Sequence, residues 1–269
     1  MFIDFQFCND YASSKGYFVC RIDQGSGMES VQNGADIEFS TVHSTGSHTD
    51  KHIASKYKEP LTFTFHICKK SHSSDPRGSY ISVLEQRDLN RWLNRNDGYH
   101  TFKLVDSNYS NISFHAYINT KKIEFAGNCI GYELTVITDK PFGYLDEVSN
   151  AFPRMTKNRI YAVPNLSDEI CDIYPYVEII CLEDGDLRIS NRTVHKTAEI
   201  KGCLKDEKII MDCASRIISS SVRGDEVINY FNFGWLRIGG TYENKINRLE
   251  TSLDINFKMK YSPVAKVGV

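Results

Sequence analysis

Three histidines, His43, His48 and His52, fall within one short polar stretch, close enough together to share a metal ion. Imidazole is the usual neutral metal ligand. No cysteine or paired carboxylate completes a tetrahedral set with them, so a hydrophilic loop that carries histidines is the expectation and a metal site is not. His66, His100 and His115 lie on or near strand-like runs and read as surface or half-buried side chains. The adjacent carboxylates Glu183 and Asp184, Asp206 and Glu207, and Asp225 and Glu226 sit beside Gly or Lys. Neighbouring residues in a turn point apart, so these pairs are expected at hairpin tips and not as an acid/base couple. The chain has no Gly-x-Ser-x-Gly elbow, His-Glu-x-x-His helix or phosphate-binding glycine loop, and without that chemistry no catalytic activity is predicted. Trp235 is the remaining chemical candidate, because an exposed indole on a β-sandwich can stack on a sugar ring. Its surroundings, FNFGWLRI at 231–238, are apolar on both alternating faces, which predicts a strand buried on both sides and a packing or interface role for Trp235.

Eight cysteines (Cys8, Cys20, Cys68, Cys129, Cys171, Cys181, Cys203 and Cys213) are even in number but contain no Cys-x-x-Cys pair. Several lie inside strand-like runs, and no secretory context is evident, so free core thiols are expected. The first residues, MFIDFQF, alternate polar and apolar types and lack a basic segment followed by an apolar core, so they do not form a signal peptide. No apolar run approaches the roughly 20 residues that a spanning helix needs. A soluble chain made in a cytoplasm, with no membrane insertion and no cofactor, is the expectation. A formal charge of -2 provides no basic footprint for a phosphate backbone, and nucleic acid is not an expected partner.

The elements that would hold these residues are mostly strands. LTFTFHI at 61–67 and LDINFKMKY at 253–261 alternate apolar and polar residues, the period that buries one face of a strand. Weaker cases occur at Ile3, Phe5 and Phe7 and over 18–22, 37–42, 114–118, 132–138, 177–182 and 187–189. One helix is predicted over 82–95, with Leu89, Trp92 and Leu93 on one face, Arg87, Arg91 and Arg95 elsewhere, and Ser82 with Glu85 as a capping box. Its apolar stripe must lie across a sheet, with Trp92 as the anchor. Residues 41–57 read as a long polar irregular segment, and 149–167 as irregular and proline-bearing. With 41% hydrophobic residues the chain can bury a substantial core. DKPF at 139–142 ends a strand with a proline, and a boundary there gives two domains, 1–143 and 144–269.

Taken in order, IKGCL at 200–204, KIIMDC at 208–213, NYFNFGWLRIGG at 229–240 and the strand at 253–261 resemble the C-terminal half of the distal tail proteins of long-tailed (siphovirus-type) bacteriophages. The N-terminal half is similar to the same family through IEF at 37–39, SKYKEPLTFTF at 55–65, RWL at 91–93, DGYH at 97–100 and DKPF at 139–142. The resemblance implies a mainly β chain: an N-terminal β domain with one amphipathic helix and a projecting arm, followed by a C-terminal galectin-like β-sandwich. It implies a homohexameric ring in the tail tip or baseplate that joins the tail tube to the distal tip. Expected partners are further copies of the chain, the tail tube protein, a tail-associated hub protein and receptor-binding proteins. Assembly in the host cytoplasm would place the protein at the virion tail tip. Residues 41–57, with His43, His48, His52 and Tyr57, match the arm that reaches a neighbouring subunit, and Trp92 and Trp235 would be structural anchors. A carbohydrate-binding β-sandwich module for cell-surface attachment is the alternative.

Overall fold

A computed structural model describes residues 3–20, 34, 36–43, 45–46, 48–70, 78, 80–241 and 244–267. It divides the chain into two compact units, Met1–Tyr144 with Ala265–Val269, and Leu145–Val264. The chain is mainly β, with one α-helix among the described residues.

The first unit contains β1 (Asp4–Phe7), β2 (Asp10–Tyr11), β3 (Tyr17–Cys20), β4 (Ile37–Val42), β5 (Lys51–Tyr57), β6 (Thr62–Lys69), α1 (Val83–Leu93), β7 (His100–Val105), β8 (Ile112–Phe125) and β9 (Asn128–Thr138), and β10 (Gly143–Leu145) follows. The strand expected over 18–22 is seen as β3, and its last two positions lie outside the described residues. An antiparallel sheet runs in the order β2-β1-β7-β8-β9-β6-β3. Along β6 the alternation puts Phe63, Phe65 and Ile67 inside and Thr62 and Thr64 outside. Four strand spacings separate β1 from β6, roughly 19 Å if the sheet were flat. Yet the rings of Phe5 and Phe65 are 5.2 Å apart and those of Phe63 and Phe102 5.6 Å. The sheet therefore rolls around an aromatic core of Phe5, Phe7, Phe102 and Phe114, all fully buried.

Helix α1 forms where its sequence signals placed it. Ser82 accepts from the Glu85 N–H while the Glu85 carboxylate accepts from the Ser82 N–H, the reciprocal capping box expected. Leu89 and Leu93 are buried. Trp92 is only half-buried, stacking on Phe5 at 5.7 Å and donating from Nε1 to the Phe7 carbonyl at 3.1 Å.

Two expectations for this unit are corrected. Cys20 and Cys68 are disulfide-bonded with Cα atoms 6.2 Å apart, so they are not free thiols. Cys20 pairs with His66 across β3 and β6, and Cys68 lies two residues along the same face, a diagonal neighbour that only the strand register reveals. Within 41–57 the chain is largely strand: β4 and β5 form an antiparallel two-stranded sheet with a register shift at Ser40/Thr41. β4 is the strand expected over 37–42, whereas β5 was unreadable as strand because all its side chains but Tyr57 are exposed, and an exposed strand has no buried face to impose alternation.

The second unit is a β-sandwich built from β11 (Val148–Met155), β12 (Ile160–Pro164), β13 (Tyr176–Cys181), β14 (Gly185–Asn191), β15 (Lys196–Cys203), β16 (Lys208–Asp212), β17 (Ile217–Ser220), β18 (Ile246–Thr251) and β19 (Ile255–Tyr261), with β20 (Val264–Ala265) after it. One sheet has the order β11-β19-β13-β16-β17 and the other β12-β18-β14-β15. Between them lies one apolar core with contributions from both sheets, including Ile179, Phe257 and Met259 from the first and Leu187, Ile200 and Leu249 from the second. Residues 149–167, expected to be irregular, contain β11 and β12. Each is the edge strand of its sheet, where Pro153 and Pro164 need no ladder partner for the N–H they lack.

The run 231–238 is not a strand buried on both sides. A 3-10 helix, Asp225–Tyr230, precedes it, and among the described residues its backbone joins neighbouring segments in β pairing only at isolated bridges, Phe231 to Ile200 and Ile238 to Ile173. Phe233 adopts a left-handed φ of 56° and is exposed. The Asn232 side chain replaces the missing ladder: Oδ1 accepts from the Glu199 N–H at 3.0 Å and Nδ2 donates to the Thr197 carbonyl at 3.1 Å. Further on, buried Asn247 accepts from the Gly239 N–H and donates to its carbonyl, so side-chain amides fasten a segment that has no continuous strand partner.

Candidate functional site

The arm residues occupy the β4–β5 ribbon. At its tip His43 Nδ1 lies 2.8 Å from Asp50 Oδ1, and His52 packs against the edge of Phe39 with ring centroids 5.4 Å apart. His48 is exposed. Tyr57, at the base, meets Phe142 edge-on at 4.8 Å. Each histidine thus has different surroundings. Among the described residues no three His, Cys, Asp or Glu side chains converge as a metal site.

The ribbon is two-sided in chemistry. Ile37 pairs with Tyr57 and Phe39 with Ser55, which sets Ile37, Phe39 and Tyr57 on one face, while Glu38 and Lys56 form an ion pair at 3.2 Å on the other. Phe39 is 61% and Ile53 63% exposed, alongside other large apolar side chains that the chain leaves open, such as Phe125. An isolated two-stranded ribbon is marginal in water.

The two tryptophans do not offer free faces. Phe231 packs edge-on to Trp235 at 4.9 Å, and the Arg216 guanidinium lies 5.7 Å above the indole while also sitting 4.4 Å from the Tyr174 ring. Trp92 forms one wall of an open depression of about 610 Å³ also lined by Asp10, Lys15, Glu85 and Arg91. Its charges are paired, Lys15 with Asp10 and Glu85 with Lys69, both at 2.8 Å.

None of the three carboxylate pairs lies at a hairpin tip: Glu183–Asp184 and Asp206–Glu207 sit in turns that join strands of different sheets, β13 to β14 and β15 to β16, and Asp225–Glu226 open the 3-10 helix. Glu207 is fully buried. It accepts from Arg223 Nη2 at 2.9 Å, from Ser220 Oγ and from the Leu204 N–H, closing the turn before β16. Burial alone would raise its pKa; the hydrogen bonds from Ser220 and Leu204 and the Arg223 charge outweigh that and hold the carboxyl below the ordinary glutamate value. Glu183 behaves as expected of a turn, taking Lys157 and the Asp254 N–H.

Sequence reading also missed a His115, Asp139 and Tyr144 cluster. Tyr144 donates to Asp139 at 2.8 Å and His115 Nδ1 is 3.7 Å away. Burial would raise the Asp139 pKa, yet His115 and Tyr144 hold it lowered. The Asp139 N–H also donates to the His115 carbonyl. The cluster fastens the start of β8 to the end of β9.

Residues 1–140 match the family described as phage tail protein N-terminal domain, and residues 142–261 the phage tail C-terminal domain. The chain belongs to this phage tail protein family. Among solved structures, the tail protein is similar to the crystal structure of SPP1 Dit (gp 19.1), with a TM-score of 0.68 and 10% identity over 98% of this chain and 99% of that one. Dit is described there as a paradigm of the hub adsorption apparatus in phages infecting Gram-positive bacteria. At that identity the likeness shows the fold, which the tail protein shares along its length. No curated protein matches it. No described helix of the tail protein is long and apolar enough to cross a membrane.

Proposed function

We propose that this tail protein is a non-catalytic, ring-forming hub of the tail tip that connects the tail tube to the distal tip and the host-adsorption proteins. The observation that carries the reading is the likeness to SPP1 Dit over 98% of the chain, joined to the tail-protein family matches in both halves. In this reading residues 1–143 form the ring, and residues 144–269 form a galectin-like sandwich. The ribbon with His43, His48, His52 and Tyr57 is the arm laid on a neighbouring subunit. Trp92 and Trp235 anchor the two units internally. The partners are five further copies in a hexamer, the tail tube protein, a tail-associated hub protein and receptor-binding proteins. Assembly takes place in the host cytoplasm.

A ring of identical subunits needs a heterologous contact that closes by rotation, and a ribbon whose Phe39 and Ile53 are exposed among the described residues is a suitable half of one. The small net charge also favours close stacking of like subunits. Native mass measurement of the purified chain, or cryo-electron microscopy of assembled tails, should give a hexamer or six-fold symmetry. A chain that stays monomeric and never co-purifies with tails overturns the proposal. The rival sugar-binding module is not favoured, since Arg216 already covers one face of Trp235; quenching of Trp235 by a specific saccharide would reinstate it.

A further inference from the structure

Cys20 and Cys68 are joined on the outer face of the first sheet, away from its core. Along β6 the buried side chains are Phe63, Phe65 and Ile67, so His66 and Cys68 point the other way, and both cysteines are only half-buried. Gly131 of β9 pairs with Cys68, and a Cβ added there would lie 3.3 Å from the Cys68 sulfur, so the neighbouring strand sets no side chain over it. Cys20 belongs to β3, the last strand in its sheet order, which is tied to β6 by four residue pairs, 17–20 with 66–69. Cys129, Cys181, Cys203 and Cys213 are the contrast, being buried and free.

The bond also has a particular place in the chain. It spans 48 residues, and both strands of the ribbon, β4 and β5, lie inside the loop it closes. One root of the ribbon is held without it: Tyr57 packs on Phe142, and the Thr138 N–H donates to the Leu61 carbonyl at 3.0 Å. The other root follows β3 in the chain. A short end strand opens at low free energy, so the disulfide fixes the last residue of β3 where hydrogen bonds alone hold it weakly.

We propose that Cys20–Cys68 is a reversible redox lock on this second root of the ribbon, opened by small thiols of the glutathione class and closed again by their disulfides. In opening, a small-molecule thiolate attacks one protein sulfur; a new S–S bond forms, the Cys20–Cys68 bond breaks, and the released cysteine thiolate takes up a proton. A second small thiolate attacks the small molecule's sulfur in that mixed disulfide, freeing the other cysteine, which is likewise protonated. One protein disulfide and two small thiols become two protein thiols and one small disulfide, with two electrons passing to the protein sulfurs; closing is the reverse. A disulfide on an outer face is open to this exchange. Opening it leaves Phe63, Phe65 and Ile67 in the core, so the unit stays folded in both states and only β3 and the root beyond it loosen. The inference concerns the subunit and holds whether or not the chain forms a ring.

The test equilibrates the full chain in buffers of stepped ratios of reduced to oxidised glutathione. Samples are quenched with acid, alkylated and digested for mass spectrometry, and hydrogen exchange is measured at the two extremes. Cys20 and Cys68 should pass together from cross-linked to alkylated as the ratio rises, in native protein. Amides of residues 17–20 should exchange at least tenfold faster in the reduced state, while those of β7 and β8 stay unchanged. Cys20→Ser with Cys68→Ser should exchange like the reduced state at every ratio; if that variant fails to fold, the wild-type titration decides alone. The proposal is overturned by a bond that is reduced only after denaturation, by two cysteines that remain thiols in oxidised glutathione, or by reduction that leaves exchange at 17–20 unchanged.

Discussion

Glu207→Ala is the sharpest test of how the sandwich is held together, because it removes a carboxylate with no exposed surface. Its loss leaves Arg223, 16% exposed, with the Lys201 carbonyl, the Cys203 sulfur at 3.9 Å and the Tyr230 ring face 4.8 Å away, and no opposite charge among these. Breaking a buried ion pair from one side costs about 3–5 kcal/mol, since the surviving charge stays desolvated. Arg223 can swing toward water more easily than Glu207 can, so Glu207→Ala should fall near 3 kcal/mol and Arg223→Ala near 4. With an m-value of roughly 2 kcal/mol per molar urea, the midpoint of urea unfolding drops by about 1.5–2 M. Replacing both residues together, Glu207→Leu with Arg223→Met, should cost less than either single change, because no charge is left behind. The pH profile provides an independent readout. In the wild type the carboxyl is held below its unfolded value, so its contribution is present above about pH 4.3 and is lost as pH falls toward the folded pKa. In Arg223→Ala only the Ser220 and Leu204 hydrogen bonds are left to oppose burial, so the folded pKa moves up toward the unfolded value and the loss of stability on acidification should be smaller than in the wild type. A Glu207→Ala cost below about 1 kcal/mol, with equal pH slopes in the two proteins, would refute the reasoning.

Trp92→Phe keeps most of the ring contact with Phe5 but loses the hydrogen bond to the Phe7 carbonyl, so it should cost about 1 kcal/mol in urea unfolding. Trp92→Ala also loses half an indole of buried area, and about 3 kcal/mol is expected in total. Gly234→Ala should cost about 3 kcal/mol, because its Cβ would collide with the Thr197 carbonyl and lie 2.8 Å from Asn232 Oδ1; Thr197 is backbone that cannot move aside. Phe39→Ser with Ile53→Ser should leave the monomer's melting temperature unchanged and weaken ring assembly at least tenfold by analytical ultracentrifugation, since each exposed side chain buried in a contact contributes about 1.5–3 kcal/mol.

Where the chain buries an element against itself, the residues spell it out. The alternation in β6 and β19 and the stripe and cap of α1 correspond to faces that meet the aromatic core or the sandwich core. The misreadings share another origin. The apolar run 231–238 has the composition of a central strand, but a left-handed Phe233 and the close approach at Gly234 turn it away from the ladder, and Asn232, Asn191 and Asn247 supply its hydrogen bonds. A side-chain amide that stands in for a strand has no periodicity to detect. Glu207 was hidden for a similar reason: its partner Arg223 lies 16 residues on and reaches it only through the pairing of β16 with β17. The Cys20–Cys68 bond likewise depends on the register of β3 against β6, across 48 residues.

The arm is the limiting case. Composition suggested an irregular polar segment after the strand expected over 37–42, and the chain is instead a ribbon whose strands, among the described residues, hydrogen-bond to each other and to no other strand. Periodicity arises when one face of a strand must be dry, and β4 and β5 have no dry face in the subunit alone. What they retain is a pairing of types: Ile37, Phe39 and Tyr57 on one side, the Glu38–Lys56 ion pair on the other. On the proposed reading the partner that dries the apolar side is another copy of the chain. That makes the ribbon the element whose pattern a single chain shows least, and it ties its structure to assembly: with Phe39 and Ile53 changed to serine the subunit should fold as before, and the loss should appear only where two subunits meet.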